Sequence, residues 1–215
     1  MMENDLSSFD PDIAERLRAL RQAHATTLDA LAQRSGVSRA MISRIERGEA
    51  NPTAQLLARL CHALGTTLSR FFAEEAPKET PLRRAGGQHV WRDPETGYVR
   101  RAVSPEGTGS PVDIVDVAFP PGGRVVFEPQ LFEPRAFEPK AFEPKAFERG
   151  TTQHLWMLDG RMTMTAGDET YDLHTGDCLF MRLSETIVFS NPHEHPARYA
   201  IILHRGHPQT SKGRA

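Results

Sequence analysis

The chain has 215 residues, of which 39% are hydrophobic and 25% charged, and a formal net charge of −2. These are ordinary values for a soluble globular protein of one or two domains. No apolar run approaches the ~20 residues that a membrane-spanning helix needs, which excludes a membrane partner of that kind.

The first residues, MMENDLSSFDPD, are acidic and polar, so they do not read as a signal peptide. Cys61 and Cys178 lie far apart and form no CxxC pair. They are expected as buried thiols of a reduced, cytoplasmic protein.

From Asp12 to Phe72 the apolar spacing is helical. Ile13, Leu17 and Leu20 share one face of a first helix, and Leu56, Leu57, Leu60 and Leu64 share one face of another. Thr53 suits the N-cap of that second helix and Gly65 its C-cap, and TLSRFF allows one short last helix. Between them runs TLDALAQRSGVSRAMISRIERGEANP, residues 27–52, with Gly36 and Ser38 in mid-pattern. Two helices with a corner explain this better than one weakened helix. Ala32 is small where the helices must cross closely. Gly36 tolerates the left-handed backbone of a tight turn. Leu31, Val37, Ile42 and Ile45 fill the wedge, while Thr27 and Ser38 can cap the two helices.

These residues, with LLARLCHALGTTLSRFF after them, resemble the Cro/lambda-repressor-type (XRE) helix-turn-helix family over roughly Asp12 to Phe72. The resemblance implies a five-helix bundle that binds double-stranded DNA through the second helix of the pair. The N-terminal residues of that helix would face base edges in the major groove. In this chain they are Ser38, Arg39, Ala40, Ser43 and Arg44. Arg39 and Arg44 can each make a bidentate contact to guanine, and Ala40 can touch a thymine methyl. Thr27, Ser38 and Ser43 suit phosphate oxygens, and Arg47 is expected along the backbone. Glu46, at the far end of the helix, is expected to pair with a nearby arginine. Charge agrees, since nine arginines against five acids give residues 12–72 a charge of +4. The alternative, a helical bundle with ordinary solvated arginines, leaves the corner unexplained.

Residues 73–87 are polar, with two prolines and two glycines, and read as a linker. From residue 88 to 208 the pattern becomes short β runs such as VDIVDVAF, HLWML, RMTMTA and ARYAIIL, separated by PGG, DG and TGD turns. They predict an antiparallel sandwich or barrel. Inside this half, Phe recurs every five residues at 127, 132, 137, 142 and 147, the first four followed by Glu-Pro. The period fits neither helix nor strand. The 128–148 insert reads either as a duplication that lengthens a surface loop or as a partner-binding arm.

PPGGRVVFE and the long stretch from Gln153 to Pro192 resemble the cupin family, a small antiparallel barrel. The chain as a whole is therefore expected to be α+β, with a five-helix bundle followed by a cupin barrel. That is the architecture of XRE–cupin transcriptional regulators. Metal-binding cupins supply two histidines and an acid from one motif and a histidine from another. Here the acid position holds Gln153 and the second histidine position Ile187, and no His-x-His pair stands near 128–130 or 146–148. An amide and an isoleucine make a poor donor set for a transition metal. No metal, no other cofactor and no catalytic residue is therefore expected, and the rival reading, a cupin metalloenzyme with a helical attachment, is disfavoured. His193 and His195 sit between prolines and read as a turn, as does His174, while His154 should face away from Gln153. A small-molecule effector among inward side chains is expected, with Gln153, Trp156, Arg182, Ile187 and Tyr199 as pocket candidates. A homodimer is expected as well.

Overall fold

The computed structural model describes residues 11–72, 80–105, 108–128, 152–182 and 185–204. The Phe-Glu-Pro repeat from residue 129 onward lies outside them.

Helices come first, as α1 (Pro11–Ala23), α2 (Leu28–Ser35), α3 (Arg39–Glu46) and α4 (Ala54–Ala63). A single turn, α5 (Leu68–Phe71), follows. The expected five-helix bundle is thus four helices of two turns or more and one isolated turn. α5 stops where Phe72 leaves the helix and its ring joins an aromatic stack with Phe71, His89 and Trp91. Ile13, Leu17, Leu31, Ile42, Ile45, Leu57, Leu60 and Leu64 are all fully enclosed, so the i, i+3/i+4 stripes meet on one interior. Thr53 caps α4, its hydroxyl accepting from the Leu56 amide at 3.3 Å, and Gly65 follows the helix with φ 70°.

Ten strands follow: β1 (Val90–Arg92), β2 (Val99–Ala102), β3 (Val112–Phe119), β4 (Arg124–Phe127) and β5 (Thr152–Asp159), then β6 (Arg161–Ala166), β7 (Glu169–His174), β8 (Cys178–Arg182), β9 (Ile187–Ser190) and β10 (Ala197–His204). They form a six-stranded sheet in the order β1-β2-β3-β10-β5-β8 and a four-stranded sheet in the order β4-β9-β6-β7. Every pairing is antiparallel. The expected closed barrel is therefore two facing sheets, and among the described residues no ladder joins them. Burial is met by face packing instead. Phe119, Met157 and Tyr199 of the larger sheet fill the interior with Met162, Met164 and Phe189 of the smaller. Tyr199 stacks on Phe189 across that gap at 5.9 Å. Phe127, the first phenylalanine of the repeat, belongs to β4. It packs edge-on against Phe189 at 5.7 Å, so the five-residue period starts inside a strand.

The helices and sheets share one buried cluster. Two contacts hold α4 and α5 against β1 and β2. Asp93, buried between β1 and β2, accepts from the Ala54 amide at 2.7 Å and from the Thr96 amide at 2.8 Å. The ring of Phe72 lies 5.4 Å from Trp91, and the buried Arg100 guanidinium sits over it at 5.8 Å. No helix among the described residues is long and apolar enough to cross a membrane.

Candidate nucleic-acid interface

The corner between α2 and α3 is where the helical spacing required it. Thr27 caps α2, its hydroxyl accepting from the Ala30 amide at 3.1 Å. Gly36 ends the helix at φ 63°, a left-handed conformation costly for any residue with a Cβ. A Cβ there would also collide with the Arg59 guanidinium, whose Nε donates to the Ser35 carbonyl at 3.0 Å. Val37 is buried, and Ser38 caps α3 by accepting from the Met41 amide at 3.2 Å.

α3 has two faces of different chemistry. Ile42, Ile45 and Glu46 point inward. Glu46 is buried, yet its charge is answered by Arg21, whose Nε and Nη2 donate to the carboxylate at 2.7 and 2.8 Å. The hydrogen bond that Arg21 donates to Glu46 raises the Arg21 pKa above its ordinary value, against the lowering effect of burial. Arg18 donates to the Glu46 carbonyl, so α1 also holds the end of α3. The local pairing expected for Glu46 is present, and it removes this acid from the outer surface.

Outward stand Ser38, Arg39, Ala40, Arg44 and Arg47, all exposed, with Ser43 half-buried and Thr27 exposed at the adjoining α2 end. The seven residues singled out as DNA contacts therefore share one surface. Two acids on that surface are not evident from spacing alone. Asp29 in the first turn of α2 pairs with Arg39 at 3.1 Å. Glu49 takes both Nε and Nη2 of Arg47 at 2.7 Å, and Arg47 also donates to the Ser43 hydroxyl. The hydrogen bond from Arg47 holds the Glu49 carboxyl below its ordinary pKa. These exposed pairs are weak and exchangeable. They hold the Arg39 and Arg47 side chains against Asp29 and Glu49 beside α3.

The residues singled out in the β half separate into two groups. Gln153, Ile187 and Tyr199 are buried between the sheets. The Gln153 amide donates to the Met181 sulfur at 3.5 Å across the β5–β8 ladder. Ile187 offers no donor atom, so the metal positions of the cupin pattern hold a committed amide and a hydrocarbon, which do not fit a transition metal. Trp156 corrects the expectation: it is 49% exposed on the opposite face. It lies three residues from Gln153, and strand alternation puts odd separations on opposite sides. Arg182 pairs with Thr152 in the ladder, and its side chain lies outside the described residues. His154 faces away from Gln153 as expected. His174 ends β7 rather than lying in a turn. The 193–195 turn is present and pinned by buried Asn191, whose amide donates to the His195 carbonyl at 2.9 Å. Cys61 is buried, and that burial pushes its thiol up. Cys178 is exposed, contrary to expectation, because it falls on the same outer side of its strand pair as Trp156.

Comparison with known proteins agrees with this geometry. The helix-turn-helix (HTH_3) family model matches residues 17–71, the segment that contains the corner, both caps and α4. Residues 17–71 are thus an XRE-type helix-turn-helix domain, and the chain is similar to HTH-type transcriptional regulators. The chain is 22% identical to the HTH-type transcriptional regulator SutR of Escherichia coli K12 over 203 residues, 94% of this chain and 98% of that protein. It is 32% identical to the HTH-type transcriptional regulator SlrR of Bacillus subtilis over 81 residues, 37% of this chain and about half (52%) of that relative's length. The fold of the whole chain is similar to that of an HTH_3-family transcriptional regulator from Vibrio cholerae. The TM-score is 0.69 at 22% identity, covering 95% of this chain and 100% of the other.

Proposed function

We propose that α3 reads a specific duplex sequence and that the space between the two sheets holds a small-molecule effector. One observation supports the first part above others. The corner at Gly36 turns Ser38, Arg39, Ala40, Ser43 and Arg44 outward on a helix whose other face is locked into the core. Arg39 and Arg44 contact guanines, Ala40 a thymine methyl, and Thr27, Ser38, Ser43 and Arg47 the phosphates. Net charge of the whole chain is slightly negative, so binding rests on this local basic surface and falls steeply with salt.

The effector reading is supported by the interior around Gln153, Ile187 and Tyr199, where an amide and a phenol stand among apolar side chains. A neutral organic molecule with one hydrogen-bonding group suits such a lining better than an ion. The domains divide at 73–87, the chain acts in the cytoplasm as a homodimer, and it carries out no metal chemistry. A line of touching rings runs from the helices to the interior: Phe72, Trp91, Tyr98, Phe119, Tyr199 and Phe189, each 5.4–6.3 Å from the next. An effector that shifts Tyr199 therefore presses on the seat of the helices, not merely on a linker. It changes DNA affinity only if it binds the two arrangements unequally.

The test is operator selection from random duplexes, then affinity measurement. Arg44→Ala should lose ~10-fold or more in preference for the selected site over its point variants. Adding each small molecule that co-purifies with the protein should change operator affinity for at least one. Unchanged preference in the variant would remove the α3 assignment, and unchanged affinity with every bound molecule would remove the effector.

A further inference from the structure

Among the described residues the large apolar side chains that stand exposed are Leu82, Val90, Ile114, Trp156 and Phe180. None lies in the helices. Four of them, Val90 at 54%, Ile114 at 38%, Trp156 at 49% and Phe180 at 51% exposure, are on the outer face of the six-stranded sheet, Val90 at its far β1 edge. Cross-strand register aligns them. One row runs Ile114, Ile202, His154, Phe180 across β3, β10, β5 and β8. The next row runs Asp116, Ala200, Trp156, Cys178 across the same strands. His154 and Phe180 are in ring contact at 5.1 Å. The outward placement of Trp156 and Cys178, which the expected pocket and the expected buried thiol both missed, is one feature of one surface.

We propose that the β10–β5–β8 end of this face is the two-fold interface with a second copy of the chain. The inference rests on the reading of α3 as a DNA reader and deepens it. An eight-residue helix is only ~12 Å long and reaches one half-site, so specific binding calls for two copies held about one helical turn apart. The helices expose no large apolar side chain among the described residues, so they offer little with which to hold a second copy. The sheet face does. A two-fold contact brings each group near its own symmetry mate, so a charged centre would repel itself. Here the centre contains no Asp, Glu, Lys or Arg. Charge on this face lies around that centre: at Asp116, which Arg101 and Arg198 neutralise, and at Arg182 of β8, in register with Thr152. β8 ends the sheet and has a ladder partner on one side only among the described residues.

Sedimentation velocity of the full chain over a concentration series tests the assignment without DNA. Wild type should dimerise, and Trp156→Glu and Phe180→Asp should each weaken dimerisation at least ~30-fold, the scale of an interface hot spot. Leu82→Glu, at an exposed site away from this face, should not. Iodide quenching supplies a reading that needs no variant. The other tryptophan, Trp91, is buried, so quenching reports Trp156, and it should fall as concentration carries wild type through the dimer transition. Dimers as tight as wild type in both variants would overturn the proposal, as would a wild type that stays monomeric. Protection of Trp156 in a monomer would overturn it too, and would assign the cover to the chain's own 129–151 segment. Failure of the DNA reading is distinguishable: dimerisation through this face would persist while the selected operator went unrecognised.

Discussion

Single residues decide whether this chain has a reader at all. Gly36 is where spacing alone located the turn, and the structure adds a second reason for it, the packed Arg59 guanidinium. The arginine pairing of Glu46 was legible from its place at the far end of α3, but its burial was not. Asp29 and Glu49 were not legible, since an exposed acid carries no periodic signal and its partner is set by side-chain reach. His62, at the end of α4, gives a residue-scale test of the helical core. Burial, and then the charge of Arg34, hold its pKa below the ordinary value. The unfolded chain therefore binds this proton more readily than the folded one. Stability contributed by neutral His62 is complete above the unfolded pKa of ~6.5 and is lost as pH falls through that value toward the folded pKa. Thermal unfolding between pH 7.5 and 5.5 should show a falling Tm in wild type and a flatter profile in His62→Gln. Parallel profiles would contradict this role.

At the scale of elements, strand parity explains both successes and errors. It placed His154 opposite Gln153, and applied two positions further it would have placed Trp156 outside. The pairing partner across the ladder, such as Cys178 against Trp156, was not legible, because register depends on loops far apart in sequence. The same limit hid Asp93. Its side chain joins a hairpin turn through Thr96 and also takes the first amide of α4, 39 residues earlier. Helix termini leave such amides without intrahelical partners, and a carboxylate there is favourable. Asp93→Ala leaves these donors unsatisfied in a buried place and should cost about 1–3 kcal/mol. Calorimetry should show the lower Tm, and hydrogen exchange should rise first at Ala54. An unchanged Tm with unchanged exchange would show that the cap does not fasten the helices to the sheets.

For the whole molecule, two regions with a polar stretch between them were readable from composition. Their docking was not, because Phe72, Trp91 and Arg100 look like ordinary core residues of separate units until the ladder brings them together. Closed barrel and facing sheets also share one alternation pattern, so strand runs could not choose between them. What the account stands on is still α3. The most direct test is fluorescence anisotropy of full-length wild type and the Arg39→Ala/Arg44→Ala variant on the selected operator, at two salt concentrations. The account predicts a loss of at least ~30-fold in operator affinity, with the residual binding little different from that to unrelated duplex. An operator affinity equal to wild type at both salts would contradict it.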